Sequence, residues 1–275
     1  VFAFQANIYA IIIAKILNVK IITRSNSAPS GWSKNYIKNS VYKFIIKLSN
    51  DVMVNSIEFK KSFEKKFKVK VACIYNPFNK NFIIDKLKSK KKLKFFKKNY
   101  LNIISVGRLT DQKDHLTLLK SIKLLEPEFK IKVIIIGKGI NKKPLQNFIT
   151  ENKLKEKIKL LGYTNNPFPY IRKANIVILT SRFEGLPNIL LEAQYLRKYI
   201  ISTDCPTGPR EILLNGKAGD LIKIKDHKKL SLLIKEYHNK KKLIANKINI
   251  GSKNFYRFNY ELNCKKYLDF VNKNF

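Results

Sequence analysis

A chain of 275 residues with 45% hydrophobic content can build one large or two modest cores, and no run of about 18 uncharged apolar residues offers a transmembrane helix. Three scattered cysteines (Cys73, Cys205, Cys264) suggest no disulfide framework, and neither they nor the three histidines (His115, His227, His238) fall at zinc-ligand spacing. The formal charge of +37 invites a nucleic-acid reading, but the basic residues are spread along the whole chain beside abundant Ile, Asn, Phe and Tyr, as an AT-rich genome encodes, and no nucleic-acid motif accompanies them.

Helical pattern over 7–17 leads to a strand at 20–23 and a polar, Ser- and Pro-containing loop at 24–33. A helix is predicted at 35–48 and a short strand at 52–54. Asn55-Ser56 then caps a helix over 57–67. A strand at 69–74 ends at Asn76-Pro77. The Lys-rich stretch 86–98 reads as a solvated linker rather than a core element.

Strand and helix alternate after the linker. Strands are predicted at 102–106, 131–136, 157–161, 175–180, 199–203 and 220–224. Helices are predicted at 114–125, 143–153, 187–197, 208–215 and 227–238, with a short turn at 168–173. A last helix, 259–271, follows Gly251. The strands are nearly continuous apolar runs, as in parallel sheets buried on both faces. Such alternation predicts a doubly wound α/β domain, in which ligands bind beyond the carboxyl ends of the strands.

The segment from Ser181 to Glu192 carries the most chemistry. Glu184 and Glu192 stand eight residues apart, separated by Gly185, Leu186 and Pro187 and the start of a helix. Pro187 suits the first helical turn, where its missing N–H costs nothing. Gly185 allows close backbone approach to a ligand. The first amides of that helix, Asn188 among them, attract anions. One carboxylate before the helix and one about two turns into it can grip the hydroxyls of a polyol while amides hold phosphate. That combination suits a sugar nucleotide.

The same segment resembles the E-x7-E signature of the retaining, nucleotide-sugar-dependent group 1 (family 4) glycosyltransferases, which have the GT-B fold. Further segments resemble that family in the right order. They are Ser105-Val-Gly-Arg-Leu-Thr-Asp-Gln-Lys113, Ile134-Ile-Ile-Gly-Lys-Gly139, Leu160-Leu-Gly-Tyr163 and Ser202-Thr-Asp-Cys-Pro-Thr-Gly-Pro-Arg-Glu-Ile212. The resemblance is strong over about 100–225 and loose elsewhere. It implies two Rossmann-like domains, the N-terminal one incomplete. Residues 1–85 would form part of an acceptor-side domain, 86–98 the linker, 99–250 the nucleotide-sugar domain, and 251–275 a helix crossing back to the first domain.

The resemblance also implies roles. Arg108 and Lys113 would stabilise the departing diphosphate. Glu184 would contact the transferred sugar and Glu192 the ribose. Gly107, Gly137, Gly139, Tyr163, Gly185, Leu186 and Asn188 would complete the donor site. Arg24 and Asn26 are acceptor-side candidates, with Asn26 near where many relatives carry a histidine. Cys205 has no histidine placed to activate it as a nucleophile. No metal and no cofactor are expected. The expected activity moves a hexose or N-acetylhexosamine, from a UDP-sugar first among nucleoside-diphosphate sugars, to a glycan or lipid-linked acceptor of a surface polysaccharide. The expected setting is cytoplasmic, with peripheral contact to an anionic membrane worth about 1 kcal/mol per well-placed cation. A catalytically incomplete donor-binding fragment is one alternative. An NAD-dependent Rossmann enzyme is another, although Lys142 stands where the third fingerprint glycine belongs.

Overall fold

The computed structural model describes residues 4–26, 36–89 and 94–274. The N-terminal unit runs α1 (Phe4–Ile16), β1 (Ile22–Ser25), α2 (Tyr36–Lys47), β2 (Asp51–Val54), α3 (Ile57–Phe67), β3 (Ala72–Cys73) and α4 (Lys80–Leu87). Its three strands pair in sequence order, all parallel. The four-residue spacing of Phe59, Phe63 and Phe67 puts three rings on one face of α3, against Val52 and Val54 of β2. Ser56 starts that helix, its hydroxyl accepting the Phe59 N–H at 3.1 Å. The strand expected over 69–74 is only two residues long; of the loop expected over 24–33, Arg24 and Ser25 belong to β1 and residues 27–33 lie outside the described residues.

The C-terminal unit contains β4 (Leu101–Val106), α5 (His115–Lys123), β5 (Ile131–Ile136), α6 (Lys142–Glu151), β6 (Ile158–Gly162), α7 (Phe168–Lys173), β7 (Ile176–Leu179), α8 (Asn188–Tyr195), β8 (Tyr199–Thr203), α9 (Pro209–Ile212), β9 (Asp220–Ile222) and α10 (His227–Lys235). All six strands are parallel, in the order β6-β5-β4-β7-β8-β9. This is the doubly wound order, with a topological switch between β4 and β7. The apolar runs are explained by two cores. Alternate residues Ile103, Val133, Ile135 and Ile176 face one layer of helices, while Ile104, Ile134, Ile136 and Val177 face the other.

Two departures from the sequence reading follow from packing. The linker is not merely a solvated connector. Its first residues finish α4, and Phe96 is buried in the core beside Ile104 and Ile134. Among its neighbours Phe95 packs on the same core, under the Lys132 and Lys159 ammonium groups at 5.1 and 5.9 Å. The second departure is a helix, α11 (Lys241–Lys253), where none was expected. Gly251 lies inside it, and a Cβ there would meet the Gln194 amide at 3.0 Å.

The chain then returns toward its beginning. Phe78 donates its N–H to the Phe258 carbonyl (3.0 Å), and α12 (Tyr260–Asn274) sets Tyr267 against the Arg24 guanidinium at 5.1 Å. Helix α4 is docked on the C-terminal unit: Phe82 meets Phe168 edge-on at 6.0 Å, and the Asn166 side chain donates to the Lys86 carbonyl at 2.8 Å. Among the described residues no helix is long and apolar enough to cross a membrane.

Because Phe96 fills core space, Phe96→Ala should cost about 3 kcal/mol, as large-to-small core changes do. Urea unfolding with an unchanged m-value would report it. A change under about 0.5 kcal/mol would mean that the linker is solvated after all.

Candidate functional site

The switch point between β4 and β7 opens a crevice at their carboxyl ends, and two loops fill its floor. The loop after β4 ends in Lys113, and the loop after β7 carries Glu184. Lys113 Nζ lies 2.5 Å from Glu184 Oε1, with the two side chains only 15% and 8% exposed. Gly107 makes room for the lysine stem, since a Cβ there would stand 3.2 Å from Lys113 Cδ. The loops are stitched together. Gln112 donates its side-chain amide to the Phe183 carbonyl at 3.0 Å, its own carbonyl accepts the Arg182 N–H at 2.8 Å, and the Thr180 hydroxyl donates to the Lys113 carbonyl at 3.0 Å. From behind, the Glu184 N–H donates to the Pro206 carbonyl at 2.6 Å.

Helix α8 begins at Asn188, so Pro187 is its N-cap rather than its first residue. Glu192 is then the fifth helical residue, little more than one turn in, not two. No side chain caps this terminus. Asn188 Oδ1 accepts from Asn76 Nδ2 at 2.9 Å, and Asn76 Oδ1 accepts from Arg24 Nη2 at 2.6 Å. A polar relay therefore joins β1 to the start of α8. The Glu192 carboxyl is pushed up to about 7, and burial is the cause.

Two adjoining cavities occupy the cleft. The larger, about 490 Å³, is lined by Lys113, Glu184 and Leu186 on one side and by Arg24, Asn26 and Asn55 on the other. The smaller, about 210 Å³, lies over Glu192 and is walled by Phe82, Ile83 and Phe168. Asn76, Pro77 and Asn188 belong to both. A separate cavity of about 440 Å³ between α5 and α6 shares no lining residue with either.

The structure thus brings Arg24, Asn26, Lys113, Glu184, Leu186, Asn188 and Glu192 together. Other expected residues lie apart. Arg108 is exposed, donates to Gln112 at 3.1 Å, and lines neither cavity. Tyr163 is 70% exposed beneath the Lys138 ammonium, 5.4 Å from its ring centre. Gly137 and Gly139 serve backbone packing: a Cβ on either would strike the Gly107 carbonyl (1.9 Å) or the Leu109 carbonyl (2.3 Å). Gly185 admits the other unit's backbone, because a Cβ would lie 2.1 Å from the Asn26 carbonyl oxygen.

Asn55, Asn76, Pro77 and Phe82 were not singled out from sequence as site residues. The Asn-Pro dipeptide was visible, but as a strand terminator its bland meaning hid its position. Cys205 is buried, which pushes its thiol up to about 12 and away from nucleophilic use. Among the described residues no group of three or more His, Cys, Asp and Glu could hold a metal.

The elevated Glu192 carboxyl gives a pH signature. Between about 4.5 and about 7 the folded chain keeps a proton that the unfolded chain has released, so stability falls as pH rises through that window. Glu192→Gln removes this cost. Its stabilisation over wild type should grow from pH 5 to pH 8, reaching on the order of 3 kcal/mol. Urea unfolding at the two pH values measures it, and an equal difference at both would contradict the assignment.

Comparison with known proteins identifies the family and the fold. Residues 85–254 match the family model of glycosyl transferases group 1. An uncharacterized glycosyltransferase of Methanocaldococcus jannaschii is 37% identical over 183 residues, covering 62% of this chain and 44% of its own. The Campylobacter jejuni N-acetylgalactosamine-N,N'-diacetylbacillosaminyl-diphospho-undecaprenol 4-alpha-N-acetylgalactosaminyltransferase is 31% identical over 60% of this chain and 46% of its own. The capsular polysaccharide biosynthesis glycosyltransferase CapH of Staphylococcus aureus is 32% identical over 59% and 48%. The chain thus spans about half the length of these curated relatives. Anabaena HepE, solved in complex with UDP, superposes with a TM-score of 0.84 at 18% identity, covering 99% of this chain and 78% of HepE. The fold is that of the GT-B glycosyltransferases, and the chain belongs to the group 1 glycosyltransferase family.

Proposed function

We propose that the cleft binds a nucleoside-diphosphate sugar, UDP-linked, and that the protein transfers the sugar with retention to a glycan or lipid-linked acceptor in surface polysaccharide synthesis. The observation that carries this reading is the part-buried Lys113–Glu184 pair beside the uncapped start of α8, with Glu192 one turn further on. The Lys113 ammonium and the first amides of α8 hold the diphosphate. Glu184 accepts hydrogen bonds from sugar hydroxyls, and Glu192 accepts them from the ribose. Phe82 and Phe168 give the smaller cavity apolar walls suited to a nucleoside. Arg108 is close enough in sequence to serve the phosphates only if the side chain swings from Gln112.

In the transfer step the acceptor hydroxyl oxygen attacks the anomeric carbon as the bond to the β-phosphate oxygen breaks. The hydroxyl proton passes to a departing phosphate oxygen on the same face, and Lys113 offsets the charge that develops there. No protein nucleophile is required. Support for the donor comes from HepE, solved with UDP and with UDP-glucose, and from pneumococcal GtfA, solved with UDP and GlcNAc. Support for the acceptor class comes from the diphospho-undecaprenol and capsular relatives. The strongly basic chain is suited to peripheral contact with an anionic membrane at its inner face.

Thermal unfolding in UDP, GDP and ADP tests the donor. UDP at one hundred times its dissociation constant should add about 2.7 kcal/mol. Lys113→Met and Glu192→Ala should each weaken that effect at least tenfold in affinity. A cooperative melt that no nucleoside diphosphate shifts would leave the family fold standing and remove the donor reading.

A further inference from the structure

Away from the floor of the cleft, a second pair of carboxylates joins the two units. Glu211, in α9 of the C-terminal unit, accepts the N–H groups of Ile57 (Oε1, 3.1 Å) and Glu58 (Oε2, 3.1 Å), the first two residues of α3 in the N-terminal unit. The Tyr75 hydroxyl donates to the same Oε1 at 2.5 Å. In return, Glu58 Oε2 accepts the Gly208 N–H, at the start of α9, at 3.2 Å. Each unit thus supplies the acceptor for a helix start in the other. The first amides of a helix need such acceptors, and a carboxylate there also meets the positive end of the helix dipole. Within α3 the division is complete: its own Ser56 takes the third amide and Glu211 takes the first two.

This clamp is rigidly connected to the site. The residue just before α3 that lines the cleft is Asn55, one step from Ser56. On the other side, Gly208 is pressed against the Glu184 loop, since a Cβ on it would lie 2.1 Å from the Gly185 carbonyl oxygen. The Thr207 hydroxyl also bonds the Glu184 and Gly185 carbonyls, both at 3.3 Å. Arg257 secures the end of α9 by donating to the Glu211 and Ile212 carbonyls at 3.3 and 3.5 Å. A shift of α9 would therefore be felt at Glu184, and a shift of α3 at Asn55 and the Asn26 backbone that seats against Gly185.

We infer that Glu211 is a positioning residue: by capping α3 from the opposite unit, with Glu58 reciprocating, it holds the acceptor-side wall closed over the loop that carries Glu184. The inference rests on the proposed donor cleft, but the clamp itself can be tested without it. The residues assigned to the nucleotide sit on the C-terminal unit or on α4, which is docked there through Phe82 and Lys86. Loss of the clamp should open the wall while leaving the nucleotide seat in place.

The experiment uses Glu211→Gln, which keeps size but presents an N–H where an acceptor is needed, and Glu58→Gln, which weakens the clamp from the other side. Three readouts are taken: amide hydrogen exchange of residues 57 and 58, the radius of gyration by X-ray scattering, and UDP affinity. Expected for Glu211→Gln are at least tenfold faster exchange at these two amides, a larger radius of gyration, and UDP affinity within threefold of wild type. Glu58→Gln should give the same direction with smaller effects, and it decides the matter alone if Glu211→Gln does not fold. Unchanged exchange and dimensions would overturn the inference. So would a tenfold loss of UDP affinity at unchanged dimensions, which would put Glu211 in the donor site itself. A wild-type chain that binds no UDP would remove the donor reading, while exchange and scattering would still decide on the clamp.

Discussion

The site depends on one largely shielded ion pair at the sheet's switch point. Lys113 and Glu184 come from the loops after β4 and β7, the two strands from which the chain departs in opposite directions. Glu184 is buried and Lys113 is mostly shielded, so each would carry a desolvation cost alone, and removing either strands the other. The surrounding chain is arranged to keep them together. Gly107 clears the lysine stem, Gln112 and Thr180 tie the loops, and the strand–loop from Thr203 to Gly208 supports Glu184 from behind. A ligand that engages this pair must replace what each partner loses. An anion alone would satisfy Lys113 and leave Glu184 without its cation. An anion joined to a polyol supplies both replacements in one molecule, which is the chemistry of a sugar diphosphate.

Much of this was legible before the structure because it rests on local signals. Buried parallel strands must be apolar on both faces, so β4, β5 and β7 announced themselves as runs of Ile and Val. The two glutamates, the Pro-marked helix start and Lys113 are fixed to strand ends by a few residues of loop, so their convergence follows from topology alone. The family resemblance and the sheet order point to the same crevice.

What stayed hidden depends on contacts far apart in sequence. Nothing local in the lysine-rich linker shows that Phe96 reaches the core, because solvated cations surround it in sequence and the burying residues come from β4 and β5. Helix α11 escaped notice for a related reason: its lysines, asparagines and Gly251 dilute the apolar face, which only packing against α8 and β8 makes helical. Arg108 shows what a motif leaves open. Its place in the motif suggests a phosphate ligand, and the loop of eight residues between β4 and α5 leaves its long side chain room to turn outward to Gln112. Asn76 and Glu211 gain their meaning only when the two units meet, as partners of Asn188 and of the α3 amides.

The interface between units is therefore where sequence and function part company most. It is built from groups that a sequence reading assigns to ordinary duties: a strand terminator at Asn76, a helix N-cap at Ser56, a glycine at position 185, a glutamate in a four-residue helix. Gly185 shows how the duties merge. It sits in the loop read as a ligand contact, but its missing Cβ is taken up by the Asn26 backbone from the other unit. The same small residue that opens the Glu184 loop also lets the opposite wall come within van der Waals reach of it. Closing the cleft and shaping the Glu184 loop are in this sense one packing problem. A side chain at position 185 would force the two walls apart before it touched any ligand.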